Sequence, residues 1–560
     1  MTDQTAGSRS PVDVAPLYAF EPPLPVMGST PVEYAETLGE AYLSFAQRKH
    51  RKTGGHYLTP ASIARFMAAF SNYSIPHMRI LDPGSGTGIL TASVCEAASR
   101  SKTVKRLHVD TYETDSLLNH LTHLLLEFSR EWLAHHGVAL TFEVKHEDFV
   151  LDHTATPKLG AAVPGENGKE STSRADYDLV ISNPPYFKIR KDDPRASARA
   201  GVVYGQPNIY SLFMAISAEL LSEAGDLVFI VPRSFASGPY FKRFREVFFR
   251  IVSPSAIHLF ESRKEVFKGQ TVLQENLIIK AQRCKGSASS GGGEVLISHS
   301  RGVADIADSQ RFLVGMEFVL DLASKNKELS IPLCESDLDL IRVIRGWPNS
   351  LHTLGLEIST GPVVPFRATQ LLSNSKEEAS AVPLLWMQNV RPMRMDWPTI
   401  GTNKPQRIRL ASESAKLLVR DATYILLRRF SAKEEQRRLV AAPLCRGWLG
   451  ADMVGLENHL NYIHGISRPI DVELAYGLSA LYNSTLLDRY FRISNGNTQV
   501  SATELRAMPL PAEKHIRSIG EAVRSQIDSE TDILGLIDSL VASALDISPW
   551  LCVEQGSADA

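Results

Sequence analysis

The feature that most narrows the folds open to this chain is an apolar strand running directly into a glycine-rich turn and then a helix. It reads Arg79-Ile80-Leu81-Asp82-Pro83-Gly84-Ser85-Gly86-Thr87-Gly88-Ile89-Leu90. Glycine lets a backbone reverse sharply and approach a ligand closely, and in doubly wound sheets such turns lie at the carboxyl ends of strands, where cofactors bind. Taken alone, the same glycines serve equally as a tight strand-to-helix connection.

Around this turn, from about residue 54 to 283, short apolar runs alternate with longer amphipathic ones. Residues 78–82, 107–112, 140–144, 178–182 and 227–231 read as strands, and 272–281 as a further one. Residues 89–98, 116–135, 209–222 and 240–250 read as helices. The alternation predicts an α/β domain with a mainly parallel sheet covered on both faces. Residues 156–175, rich in Gly, Pro, Ser and Thr, read as an inserted surface loop. The run GSASSGGG at 286–293 reads as a flexible connector, as readily a hairpin tip as a domain junction, so the domain boundary is placed at 300–330. Residues 1–30 lack periodicity and read as a flexible arm.

Three further motifs carry chemistry. Glu113 follows Tyr112 at the end of the second strand, where a carboxylate either favours a helix N-terminus or accepts both hydroxyls of a ribose. Asp148 and Phe149, after the third strand, pair an acceptor for an amino edge with a ring that stacks on adenine. The sharpest signal is Asp178-Leu-Val-Ile-Ser182-Asn183-Pro184-Pro185-Tyr186-Phe187. Two prolines fix φ and remove two donors, so this loop offers carbonyl oxygens. The Asn183 side-chain oxygen and the Pro184 carbonyl can accept two hydrogen bonds from one amino group. An exocyclic base amine is a poor nucleophile because its lone pair is delocalised, and two acceptors draw it toward tetrahedral geometry. Tyr186 supplies a stacking face.

This ordered set of motifs resembles the gamma-class N6-adenine-specific DNA methyltransferases, with a TaqI-type catalytic domain and a C-terminal target-recognition domain. The resemblance covers roughly residues 54–283. It implies a Rossmann-like domain that uses S-adenosyl-L-methionine as cofactor and double-stranded DNA as substrate. Asn183, Pro184, Pro185 and Tyr186 match the catalytic tetrapeptide. Asp82, Pro83, Gly84, Gly86 and Gly88 match the methionine-binding loop, Glu113 the ribose acid, and Asp148 with Phe149 the adenine element. Tyr57, Thr59 and Pro60, within Gly54-Gly-His-Tyr-Leu-Thr-Pro60, match the segment that closes over the methionine end of the cofactor. Asn208-Ile-Tyr210 and Val231-Pro-Arg-Ser-Phe235 are further matches. Phe267 falls where the family sets an aromatic against a flipped base; outside that context a strand-edge Phe reads equally as core. Base flipping follows from the resemblance, since a duplex adenine cannot otherwise reach a buried cofactor. No metal is implied.

Composition bears on the partner. The 560 residues carry 60 Lys and Arg against 62 Asp and Glu, a net charge of −2 that by itself argues against nucleic acid. The balance is uneven. Residues 361–450 hold 15 cations, mostly arginine, against seven anions; residues 511–560 hold three against nine. A charge run is often a solvated face, but Trp386, Trp397, Tyr424 and Trp448 interleave with these arginines, which fork onto guanine or phosphate. Arg391 and Arg394 are candidate DNA contacts here. Lys188 and Arg190, with Lys191, Arg195 and Arg199 nearby, are candidates beside the catalytic loop. The stretch 482–511 resembles the closing segment of the family's recognition domains, in which Asn497 and Gln499 either read an adenine edge or form an ordinary polar turn.

The expected organisation is an arm at 1–30, a methyltransferase domain at 31–310, a mixed α+β target-recognition domain at 311–511 and an acidic helical segment at 512–560. No apolar run approaches the ~20 residues of a membrane span and no signal segment opens the chain, so a cytoplasmic location is expected. Five dispersed cysteines with no CxxC give no disulfide framework or zinc site. The resemblance places the chain in a restriction–modification system beside a separate cognate restriction endonuclease. Asn-Pro-Pro-Tyr also occurs in methyltransferases acting on RNA bases or a protein glutamine, but those rarely need a basic domain of this size. A non-catalytic specificity subunit is expected to have lost Asn183 or the glycine loop, and both are intact.

Overall fold

The computed structural model describes residues 20–46, 58–154, 176–202, 207–262, 275–284, 293–321, 326–374, 380–431, 435–496, 499–528 and 532–552. These fall into two compact units, Met1–Pro232 with Arg243–Leu313, and Arg233–Lys242 with Val314–Ala560.

In the first unit the expected alternation is present. In chain order its elements are α1 (Pro31–Phe45), α2 (Ala61–Ala69), β1 (His77–Asp82), α3 (Ile89–Ser99), β2 (Arg106–Tyr112), α4 (Ser116–His135), β3 (Ala139–Lys145), α5 (Phe149–Asp152) and β4 (Tyr177–Ser182). They continue with α6 (Pro194–Ala198), α7 (Ile209–Leu220), β5 (Leu221–Pro232), α8 (Lys242–Ile251), β6 (Val252–Phe260), β7 (Asn276–Arg283), β8 (Glu294–Ser300) and β9 (Gln310–Gly315). The nine strands pair in the order β3-β2-β1-β4-β5-β7-β6-β8-β9. β3 through β5 are parallel neighbours, and β7 inserts antiparallel between β5 and β6. The inner strands are buried almost end to end, as parallel strands covered on both faces must be.

Two sequence expectations change here. Strand β6 breaks its apolar run with Pro254 and Ser255, and the register shifts at that point, so a bulge hides the strand from a pattern reading. The glycine-serine run at 286–293 leads from β7 to β8; both strands flank β6 in one sheet, so the run marks neither a domain junction nor a hairpin tip.

Order also begins inside the segment read as an arm. Thr30 and Glu33 form a reciprocal capping box at the start of α1. Ahead of it, Phe20 packs edge-on against Phe45 at 5.1 Å, and Tyr34 donates its hydroxyl proton to the Pro23 carbonyl at 3.1 Å. The inserted loop at 156–175 lies outside the described residues.

The second unit holds a four-stranded sheet, in spatial order Leu356–Thr360, Leu460–Gly465, Tyr424–Arg428 and Ala441–Leu444. A five-stranded sheet orders Leu372–Ser373, Arg407–Arg409, Ala381–Leu385, Met453–Leu456 and Leu418–Arg420. The acidic segment expected to stand apart is part of this unit. Helix Glu513–Gln526 buries Ile516, Ile519 and Val523 in the same core as helix Val472–Asn483. Two glycines permit the close crossing: a Cβ on Gly477 would lie 1.8 Å from the Ile516 carbonyl oxygen, and one on Gly520 1.9 Å from that of Glu473. All three cations of 511–560 but only two of its nine anions fall in this helix, so the segment's negative charge lies beyond it.

Candidate functional site

The order of the first sheet reverses between β1 and β4, which opens a crevice beyond the strands' carboxyl ends. A cavity of about 400 Å³ lies there. Its walls come from four successive strand ends: Pro83, Gly84 and Gly86 after β1; Tyr112, Glu113 and Thr114 after β2; Glu147, Asp148 and Phe149 after β3; Asn183, Pro185 and Phe187 after β4. Leu58, Leu118, Arg195, Ile209 and Phe213 complete it.

The glycine loop is shaped by two left-handed residues, Gly86 at φ +57° and Gly88 at φ +81°. A Cβ on Gly88 would sit 2.8 Å from Leu125 Cδ2, so α4 packs directly on the turn. Thr122 of the same helix donates its hydroxyl to the Gly86 carbonyl at 2.8 Å. The Gly86 N–H donates to Glu113 Oε2 at 3.0 Å, and Glu113 Oε1 accepts the Asp115 N–H at 2.9 Å. Burial pushes the Glu113 carboxyl up to about 7, the backbone donors opposing it.

Asp82 departs from its expected place. It is wholly enclosed beneath the loop, accepts the Thr91 hydroxyl at 3.0 Å and forms no part of the cavity wall. Its carboxyl, too, is pushed up to about 7 by burial. Gly88, Thr59 and Pro60 likewise stand behind the wall rather than in it.

Asp148 caps α5, its Oδ1 accepting the N–H groups of Val150 at 2.9 Å and Leu151 at 3.1 Å. Its Oδ2 lies 3.5 Å from Arg195, which Asp193 holds from the other side. Phe149, 2% exposed, meets Tyr112 edge-on and Phe213 at a tilt, both at 5.2 Å between ring centres.

The Asn-Pro-Pro-Tyr loop is fixed at both ends of its asparagine. Asn183 Nδ2 donates to Thr59 Oγ1 at 3.0 Å. The Tyr186 hydroxyl lies 2.6 Å from Asn183 Oδ1 and 2.8 Å from the Ile230 carbonyl, two acceptors for one proton.

The basic candidates divide. Lys188 and Arg190 are exposed, Arg190 at 83% with a surface pair to Asp192. Arg199 is 10% exposed and spent on Glu219 and the His153 carbonyl, so it offers nothing to a phosphate. In the second unit Arg391 and Arg394 are exposed, Arg391 beside Asp396 at 3.3 Å and Arg394 reaching the Ile527 carbonyl at 3.4 Å. Gln499 is exposed and its backbone bridges to Phe430. Arg437 and Arg438, counted in the basic window, are buried: Arg437 bonds Thr485 and Asp538, and Arg438 bonds the Asn495 carbonyl above the Phe491 ring. Tyr57, Phe267 and Asn497 lie outside the described residues.

Sequence reading missed Phe213 and the Thr122 brace. Phe213 was within reach, since it lies four residues after Ile209 and so shares its helical face.

Comparison with known proteins adds the following. The family model of the Eco57I restriction-modification methylase matches residues 97–267. The chain is 30% identical over 512 residues to the type II methyltransferase M.PstI of Providencia stuartii, covering 91% of this chain and 97% of that one. It is 32% identical over 485 residues to the type II methyltransferase M.BsuBI of Bacillus subtilis, covering 86% and 92%. Among solved structures it is similar to the type IIG restriction endonuclease BpuSI, at 13% identity and a TM-score of 0.39, over 94% of this chain and 69% of that one.

Proposed function

The chain belongs to the type II DNA methyltransferases of restriction–modification systems, and from that premise we propose that it methylates the N6 amino group of adenine within one specific sequence of double-stranded DNA, using S-adenosyl-L-methionine and so protecting that sequence from a cognate restriction endonuclease. The observation that carries this reading is the Asn183–Pro185 loop opening onto the same cavity as the glycine loop and Glu113.

The cavity's donors and acceptors suit S-adenosyl-L-methionine. Glu113 offers a carboxylate for a ribose diol, Gly84 and Gly86 leave bare backbone, and Phe149 with Phe213 forms an apolar wall for a base. When bound, the cofactor supplies a methyl group activated by a sulfonium. The protein's residues do the rest. Glu113 accepts the ribose hydroxyls, and Asp148 accepts from an adenine amino edge. Asn183 Oδ1 and the Pro184 carbonyl would accept from the target base amine, drawing it toward tetrahedral geometry and freeing its lone pair. Thr59 anchors the nitrogen end of the Asn183 amide. Tyr186 stacks on the flipped base, and its hydroxyl keeps its proton and turns its hydrogen bond to the Ile230 carbonyl as the amine takes its place on Asn183. Lys188, Arg190, Arg391, Arg394 and Gln499 supply contacts to phosphates and base edges.

The test is Asn183→Ala in the full chain. Methyl transfer to duplex DNA should disappear while cofactor affinity stays within about twofold; retained transfer overturns the assignment of Asn183.

A further inference from the structure

Among the described residues of the second unit, the most exposed large apolar side chain sits on a braced loop. Ile400 is 97% exposed at the tip of the loop 397–405. Gly401 beside it has φ +78°, and among the described residues nothing lies within 4 Å of where its Cβ would sit. The tip stands free, yet its base is fixed. Gln406 closes the loop like a ladder pair, its Oε1 accepting the Thr399 N–H at 2.6 Å and its Nε2 donating to the Thr399 carbonyl at 2.7 Å. Asn389 Nδ2 donates to the Asp396 carbonyl at 2.6 Å and to Thr399 Oγ1 at 2.8 Å. Gln388 reaches Thr402 Oγ1 at 3.0 Å, and the Lys404 ammonium lies 4.7 Å over the Trp386 ring.

Side-chain bonds to backbone thus hold an isolated Ile rigidly in water, an arrangement that lowers the ordering cost of a later contact. The surroundings favour an anionic partner: Lys404, Arg407 and Arg409 stand in 397–412 against the flanking carboxylates Asp396 and Glu413, and Asp396 is paired with Arg391. Asn403, also exposed, stands three positions from Ile400. An apolar side chain meets the thymine methyl in a major groove, and an asparagine amide bonds bidentately to adenine. We propose that residues 397–405 are a preformed reading loop that sets Ile400 and Asn403 against the edges of an A·T pair in the major groove of the target duplex.

This inference rests on duplex DNA being the substrate, so the test keeps the two apart. Wild type, Ile400→Ser and Asn403→Ala full-length proteins are compared for affinity to the methylated motif's duplex and to a scrambled duplex, across a salt series. Methyl incorporation into DNA by the wild type is the control, and its absence overturns both readings. Given that incorporation, Ile400→Ser should lose about tenfold in cognate affinity. Scrambled-duplex affinity, salt dependence and melting temperature should not change, because no cation and no brace is removed. Asn403→Ala should relax discrimination at one A·T position. Wild-type affinity and base preference in both variants overturn the reading loop and leave the assigned reaction standing.

Discussion

The Asn183 amide nitrogen donates to the hydroxyl of Thr59, a residue 124 positions earlier, at 3.0 Å. An asparagine amide is two-fold ambiguous in shape, and a flipped Asn183 would offer two donors to an amine that already donates. Here the bond to Thr59 anchors the amide by its nitrogen, with the oxygen at the other end. Thr59→Val keeps the side chain's volume and removes the hydroxyl, so kcat should fall roughly 5–10-fold, the effect of about 1 kcal/mol for one hydrogen bond. Cofactor affinity should be nearly unchanged and Thr59→Ser should restore turnover. Single-turnover kinetics beside cofactor titration checks this, and a loss of cofactor affinity alone would instead make Thr59 a cofactor contact.

Tyr186 has separable parts. Its hydroxyl shares one proton between Asn183 Oδ1 and the Ile230 carbonyl, while its ring is half-buried at the edge of the core. Tyr186→Phe should keep turnover within about tenfold, since one lost hydrogen bond is worth about 1 kcal/mol. Tyr186→Ala should cost considerably more, because the stacking face goes with the ring. Steady-state rates on cognate duplex distinguish the two.

Glu113 predicts a pH dependence. Its carboxyl titrates at about 7 in the folded protein because burial disfavours the charge. Hydroxyl donors favour the ionised form, so binding a ribose diol releases a proton wherever Glu113 is protonated. Cofactor affinity should therefore rise as pH increases through about 7 and level off above it. Calorimetry in buffers of different ionisation enthalpy should show proton release near pH 6.5 that Glu113→Gln abolishes. The stability linkage runs the other way: a raised carboxyl contributes stability that is present below the unfolded value and lost as pH rises through about 7.

Gly88 tests the loop's packing. At φ +81°, with Leu125 Cδ2 2.8 Å from a would-be Cβ, Gly88→Ala incurs both backbone strain and overpacking. A destabilisation of about 2–3 kcal/mol is expected, read as a fall of several degrees in Tm. Gly86→Ala meets only Leu58 Cδ2 at 3.8 Å, so its smaller loss should come from strain alone.

The division among the arginines is also measurable. Arg391→Ala with Arg394→Ala should weaken DNA binding and lower the salt slope by about 2 if each side chain meets one phosphate. Arg438→Ala removes a buried group bonded to the Asn495 carbonyl and should lower Tm instead.

The parts legible in the sequence are those whose chemistry is local. The β1–glycine–α3 connection, Glu113 three positions before its helix and Asn183 at a strand end are each set by neighbouring residues. What stayed hidden depends on distant ones. Arg437 reads as a surface cation until Asp538, a hundred residues on, is seen to hold it. The helix Glu513–Gln526 reads as separate until Gly477 and Gly520 let it cross Val472–Asn483. Asp82 carries the right residue type in the right motif, yet lies under the loop because Thr91 takes its carboxylate from below.

The identity of the modified base tests the assigned reaction most directly. DNA from cells expressing the full chain, sequenced for modified bases, should carry N6-methyladenine at a single recurring motif, and none with Asn183→Ala. Methylation on cytosine, or unmodified DNA beside a folded, cofactor-binding protein, would contradict it.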